Sequence, residues 1–94
     1  MKALSGRQKA LKAIYEERDR QDEKWGIQNH KPLQWFSIIG EEYGEMLKAY
    51  NEYTFDKQLS HIENMIREAV QTAASCVAML ECMERVKIQG GFYQ

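Results

Sequence analysis

Residues 32–52 read PLQWFSIIGEEYGEMLKAYNE. Laid out at about 100° per residue with Glu42 at zero, Trp35, Ile39, Met46, Tyr50, Tyr43, Phe36 and Leu47 fall between about 20° and 140°. Ile38 and Ala49 fall within about 40° on the other side. That is an amphipathic helix, and Pro32 suits its first turn. Glu42 lies inside the apolar arc and Glu45 at its edge, about 60° away. Glu41 and Lys48 lie outside it, on the expected solvent side. A carboxylate among core positions is costly unless a proton, a basic side chain or a metal neutralises it.

Working outward, a further helix is expected from about Asp56 or Leu59 to Val86, after a connector at Asn51–Lys57. Its apolar arc holds Ile62, Met65, Ile66, Ala69, Ala73, Cys76, Met79, Leu80 and Met83. Glu63, Arg67, Glu81 and Arg85 form the expected solvent face. Between them runs a polar stripe, His61, Asn64, Glu68, Gln71 and Ser75, on one side of the helix. Gly90-Gly91 is the expected stop, ahead of Phe92-Tyr93. Upstream, Ser5 is a plausible N-cap for a helix to about Lys24, with Leu11, Ile14, Tyr15 and Arg18 at helical spacing. Gly26 is its expected stop, and Gly26 to Lys31 a loop. No strand pattern competes. The expected fold is all-α, a single domain over residues 1–94, an antiparallel bundle of three main helices.

The two long helices thus each carry a pair of oxygen-bearing side chains at i and i+3, Glu42 with Glu45 and Glu68 with Gln71. Neighbours of that spacing can share a ligand. Hard oxygen donors of this kind suit Mg²⁺ or Mn²⁺ rather than zinc. Periodicity alone supports a polar, metal-binding cleft and names no reaction.

Composition limits the alternatives. The chain has 94 residues, 44% apolar and 29% charged, with a formal net charge of -1. That balance excludes the basic footprint of a nucleic-acid binder. The longest uncharged run, Ala69 to Leu80, contains Gln71, Thr72 and Ser75 and is too short to span a bilayer. Met1 to Ala10 is basic but no apolar signal core follows, so a cytoplasmic location is expected. Cys76 and Cys82 cannot bridge within one helix and read as free thiols packed as small hydrophobes.

Glu41-Glu42-Tyr43-Gly44-Glu45 resembles the EExxE motif of the all-α nucleoside triphosphate pyrophosphohydrolases, the MazG-like superfamily, which includes dimeric dUTPases and dCTP pyrophosphatases. The family's second motif, ExxD, resembles Glu68 to Gln71. Glu17-Arg18, Gln21 to Gly26, His30-Lys31-Pro32 and Ala73 to Glu81 extend the resemblance over roughly Ile14 to Glu84. It implies Mg²⁺-dependent hydrolysis of a nucleoside triphosphate to the monophosphate and pyrophosphate. Carried over residue by residue, the implied metal ligands are Glu42, Glu45 and Glu68, with Gln71 completing the set and Glu41 or another acid orienting water. The implied substrate contacts are His30, Trp25 as a stacking ring, and Lys48 or Lys24 at phosphate; the alternatives are a plain loop position for His30, packing at the helix end for Trp25 and a solvated surface for the two lysines. One position departs from the family, because Gln71 stands where the motif has Asp and one negative charge is missing.

The apolar arcs are wide for a chain of this length, so a homodimer or homotetramer is expected to complete the bundle. Gly40 and Gly44 permit close approach of helices. The competing reading is a catalytically degenerate helical interaction or regulatory protein, whose acid stripe pairs with a partner's basic side chains.

Overall fold

A computed structural model describes residues 3–88 of the chain. Three helices account for its regular structure: α1 (Gly6–Trp25), α2 (Pro32–Phe55) and α3 (Leu59–Ile88). The stop expected at Gly90-Gly91 and the pair Phe92-Tyr93 lie outside the described residues. The fold is all-α, and none of the helices described is long and apolar enough to cross a membrane.

Local chemistry places the boundaries. Ser5 Oγ accepts from the Gln8 amide at 3.1 Å, and Gln8 Oε1 accepts from the Ser5 amide at 2.8 Å. This reciprocal box satisfies two donors that an open helix start leaves unpaired. α1 stops at Gly26, whose φ of 72° and ψ of -172° suit a residue without Cβ. The Gly26 amide reaches Asp22 O at 2.8 Å. Pro32 opens α2, and Gln34 Oε1 accepts from the Lys31 amide at 2.9 Å. α2 runs to Phe55, three residues past the expected Glu52. Its last turn is closed by the Asp56 amide on Glu52 O at 2.9 Å, and Thr54 Oγ1 donates to Asn51 O at 2.7 Å. The connector is therefore short, and most of the segment read as a loop is helix.

α2 and α3 form an antiparallel hairpin. His61 lies beside Glu52 near the turn, Gln71 beside Glu42 further along, and Cys82 Sγ donates to His30 O at the far end. α3 is the central helix. It packs against both α1 and α2, whereas α1 and α2 make no backbone approach within 8 Å among the described residues. An open side between the outer helices follows.

One expectation about a helix face needs correction. Glu81 and Arg85 were expected in solvent; Glu81 is exposed and from there reaches Arg18 of α1, whereas Arg85 is half-buried against the 26–31 loop. Arg18 donates Nε to Glu81 Oε2 at 2.7 Å and Nη2 to Glu81 Oε1 at 3.0 Å. Arg85 donates Nε and Nη2 to Asn29 Oδ1 at 3.1 and 3.0 Å, and Nη2 also to Gln28 O. The arginine forks match planar oxygen pairs, which ties α1 and the loop to α3 by polar contacts. The apolar arcs, as their width led us to expect, are not wholly covered. Trp35, Ala49, Ala74 and Cys82 are the buried apolar residues. Phe36, Tyr43, Leu47 and Tyr50 on α2, and Ile66 and Leu80 on α3, are exposed. The accessible surface of 7340 Å² exceeds the roughly 5,700 Å² that size scaling gives for a compact monomer of 11.1 kDa.

Cys76 is half-buried and Cys82 buried, both free, as expected.

Because the Arg18–Glu81 fork is the principal polar tie between α1 and α3, Arg18→Ala is expected to cost about 1–2 kcal/mol in a urea melt. In a double-mutant cycle with Glu81→Gln, the two losses should be less than additive. Additive losses would show that the fork contributes nothing.

Candidate functional site

Trp35, Glu42 and Ala49 are spaced by seven residues and share one stripe of α2. Trp35 is 3% exposed and Ala49 5%, with Glu42 half-buried between them. The carboxylate expected inside the apolar arc therefore stands at the middle of the seam facing α3. Opposite it α3 brings Glu68 and Gln71, both half-buried, and Ser75, buried. The Gln71 carboxamide nitrogen donates to Glu68 Oε2 at 3.0 Å and to Glu42 Oε2 at 3.3 Å, the orientation in which both its donors find acceptors. One neutral side chain thus links acids from two helices.

The Glu42 carboxyl is pushed above the usual carboxylate range. Burial is the largest cause; the charge of Glu68 and a hydrogen bond with it follow, and Glu17 and Glu45 add smaller repulsions. Glu17 is a site residue that the spacing argument did not assign. Its side chain is 15% exposed and pairs with Arg20 Nε at 2.9 Å. The available signal was its place three residues after Ile14 and four before Gln21, on the inward side of α1. All three helices therefore send a carboxylate toward Glu42.

The expected ligand set is assembled in part. Glu42, Glu68 and Gln71 come together. Glu45 is exposed, one turn from Glu42, and Glu41 is exposed on the neighbouring face. As they stand, no three His, Cys, Asp or Glu side chains among the described residues converge closely enough to hold a metal ion. The donors present nonetheless suit a hard divalent cation: two carboxylates, and a carboxamide oxygen that reaches the same space when Gln71 turns over. Their mutual repulsion, visible at Glu42, is what such a cation relieves.

A cleft of about 230 Å³ opens beside this cluster, between α1, the 26–31 loop, α2 and α3. Glu42, Trp35, Trp25, Arg18, Ser75 and Ala78 contribute to its wall. Trp25 is 60% exposed, and Lys24 Nζ lies 4.8 Å from its ring centroid. Arg18 is not a free anion ligand. Beyond Glu81, its Nη1 donates to Gln21 Oε1 at 3.1 Å and its Nη2 to Asp22 Oδ1 at 2.9 Å. These carboxylates push the guanidinium further above its already high range.

Two expected substrate contacts are displaced. His30 does not line this cleft. Its ring packs edge-on against Trp35, 4.8 Å between centroids at 76°, in a separate small void with Pro32, Cys82, Met83 and Val86. Lys48 is exposed and outside the cleft wall, because it lies about 120° round the helix from Glu42. Asn64, on the polar stripe, accepts from Arg67 Nη1 rather than supporting Glu68. His61 sits at the hairpin turn, each ring nitrogen 3.5 Å from a carboxylate oxygen, of Glu52 or Asp56. The Trp35 Nε1–H is sealed from solvent and has no acceptor, an arrangement that costs about 1–3 kcal/mol.

The raised Glu42 carboxyl has a consequence for stability. The folded state holds this proton more tightly than the unfolded chain. Glu42 therefore favours folding below the ordinary carboxylate range, and that contribution is lost as pH rises through the folded value. Glu42→Gln, which keeps shape and removes the charge, is expected to melt at higher denaturant than the parent at pH 7. The difference should shrink on acidification toward pH 4. A substitution that destabilises equally at both pH values would contradict the repulsion.

Compared with known proteins, the chain matches no family model, no curated protein and no solved structure.

Proposed function

We propose that this protein is a Mg²⁺-dependent nucleoside triphosphate pyrophosphohydrolase, acting as a homodimer or homotetramer. The observation that carries the reading is the convergence of Glu42 with Glu68 and Gln71 beside a cleft with an exposed tryptophan. Repelling carboxylates in a half-buried seam are a net cost to folding, and perturbed acids of this kind concentrate at functional sites. The resemblance of Glu41 to Glu45 and of Glu68 to Gln71 to the family's motifs supplies the reaction class.

In this reading Glu42 and Glu68 would hold the metal, and Gln71 would offer its Oε1 when its carboxamide is turned over. Glu45 reaches in from the next turn of α2 by a change of rotamer. A bound Mg²⁺ supplies neutralisation of phosphate charge and a water of lowered pKa. The chain's own residues do the rest. A proton on Glu42 competes with a cation for this carboxylate, so binding tightens as pH rises through its folded value. The oxygen of a water attacks the α phosphorus and its proton passes to a neighbouring carboxylate, the bond from the α phosphorus to the bridging oxygen breaks, and pyrophosphate leaves. Glu41 makes no contact with the cluster, and Glu17 is the better placed extra acid. The cleft volume is below the roughly 300–1,000 Å³ of pockets that enclose a ligand. It suits one part of a nucleotide, with the remainder in the open.

Assembly follows from the uncovered apolar side chains of α2 and α3. Each such side chain yields about 1.5–3 kcal/mol when fully buried, which a second copy of the hairpin would collect. Light scattering is expected to give at least twice the 11.1 kDa chain mass; a monodisperse single-chain mass would reject the oligomer.

A specific observation favours the inert interaction protein instead. The Gln71 carboxamide satisfies both acids with no metal at all. One substitution separates the readings. If the site binds Mg²⁺, Gln71→Asp restores a carboxylate, and the Mg²⁺-induced rise in melting temperature should grow. In an inert site Gln71→Asp only adds repulsion and lowers stability at every Mg²⁺ concentration. The parent chain, given each NTP and dNTP with Mg²⁺, is expected to release pyrophosphate. Glu42→Gln or Glu68→Gln should lower kcat/KM by about a hundredfold or more. Turnover that survives both substitutions, or needs no divalent ion, would overturn the mechanism.

A further inference from the structure

The hairpin of α2 and α3 has two faces, and α1 covers one of them. α1, the 26–31 loop and the cleft lie on the flank of Ile38, Ala78, Glu81 and Arg85. With Glu42 and Glu68 at the seam, the apolar arcs of both helices run in the opposite rotational sense. In an antiparallel pair that turns both arcs to the same side, away from α1. On this side Leu33, Phe36, Tyr43, Leu47 and Tyr50 of α2 are exposed, and so are Ile66 and Leu80 of α3.

Spacing gives the face a register. Leu33, Phe36, Gly40, Tyr43, Leu47, Tyr50 and Thr54 follow at alternating steps of three and four, the a and d positions of a helix-pairing seam. All seven are exposed. Nothing within the chain explains Gly40. It stands in mid-helix, its φ is not positive, and a Cβ there would meet no atom within 4 Å. Glycine at such a position weakens a helix relative to alanine.

We propose that a second copy of this chain covers the face, α2 against α2 in antiparallel register, with a two-fold axis at the level of residue 45. The facing a and d positions then pair Gly40 with the partner's Tyr50, Tyr43 with the partner's Leu47, and Phe36 with the partner's Thr54. Each layer sets a larger side chain against a smaller one, as interdigitated packing requires. A parallel pairing would instead set tyrosine on tyrosine in two layers and glycine on glycine in a third. Gly44 lies beside the axis, where the lack of a side chain lets the two backbones approach. That an assembly forms rests on the reading under Proposed function; the face and its register go beyond it.

Charge and area favour a copy as the occupant. The half of α2 that carries the seam holds no Asp, Glu, Lys or Arg, because Glu41, Glu42, Glu45, Lys48 and Glu52 all fall on the other half. Such a face does not repel its twin in an isologous contact and offers nothing to a strongly charged partner. The accessible surface exceeds that of a compact monomer of this mass by roughly 1,600 Å², against about 800 Å² that each partner gives to a standard interface. The cleft stays open in this arrangement, since it lies on the opposite flank.

The test reads mass by light scattering and helix content by circular dichroism on the full chain. The parent is expected as a dimer, or as a tetramer built from it. Tyr43→Glu alters a side chain exposed in the single chain and should raise the dissociation constant about a hundredfold or more. Leu11→Glu, on the exposed flank of α1, should leave the dimer intact. Gly40→Leu should weaken association about tenfold. Adding Tyr50→Ala to Gly40→Leu should restore it, because knob and hole have changed places. If Tyr43→Glu fails to fold, the Gly40 and Tyr50 variants decide. A single-chain mass for the parent removes this inference together with the oligomer. A dimer indifferent to Tyr43→Glu and Gly40→Leu, or a double variant no tighter than Gly40→Leu alone, overturns the face and register and keeps the oligomer.

Discussion

A carboxylate midway between Trp35 and Ala49 dictates what α3 must present on the other side of the seam. Apolar side chains there would leave Glu42 with an uncompensated charge, at a cost of several kcal/mol. α3 instead turns its polar stripe inward, bringing Glu68, Gln71 and Ser75 to the seam. The rest of the architecture follows from that rotation. With the stripe inside, the flank carrying Glu81 and Arg85 faces α1 and the 26–31 loop. The far edge of the apolar arc, with Ile66 and Leu80, is left in the open. One half-buried acid thus connects the polar character of the seam, the arginine ties and the exposed apolar surface.

The stability of such a molecule comes from few sources. α1 contributes no fully buried residue, and its attachment to α3 leans on the Arg18 fork. The hairpin of α2 and α3 is held by a narrow row of small and aromatic side chains. An arrangement of this kind is marginal by itself. It gains from whatever covers the open faces and from any cation that relieves the repulsion around Glu42. Under the proposed function, folding, assembly and loading of the site reinforce one another.

Much of the candidate site was legible in the sequence. The angle of Glu42 within the apolar arc and the 3–4 spacing of the Glu68 stripe predicted two acids meeting across a helix pair, and Glu42 and Glu68 do meet. His30 and Lys48 were assigned by motif resemblance, and neither reaches the cleft. Glu17 went unassigned because its role depends on α1 lying over the open side of the hairpin. No spacing within α1 reports that. The orphaned Trp35 donor was equally hidden, since an indole at a core position looks satisfied until its surroundings are known.

Helix existence, type and most ends were written in local chemistry: the Ser5–Gln8 box, Gly26 at positive φ, Pro32 at the start of α2, and a 3.6-residue period in both long segments. These are interactions over three or four residues, so short-range order suffices to determine them. Tertiary structure alone decided which flank of α3 faces inward and which neighbour each flank meets. Periodicity gives angles between side chains on one helix but leaves the rotation of that helix about its own axis free. That rotation was set by the demand of Glu42 for polar company and by the reach of Arg18 and Arg85, contacts between residues more than twenty-five positions apart.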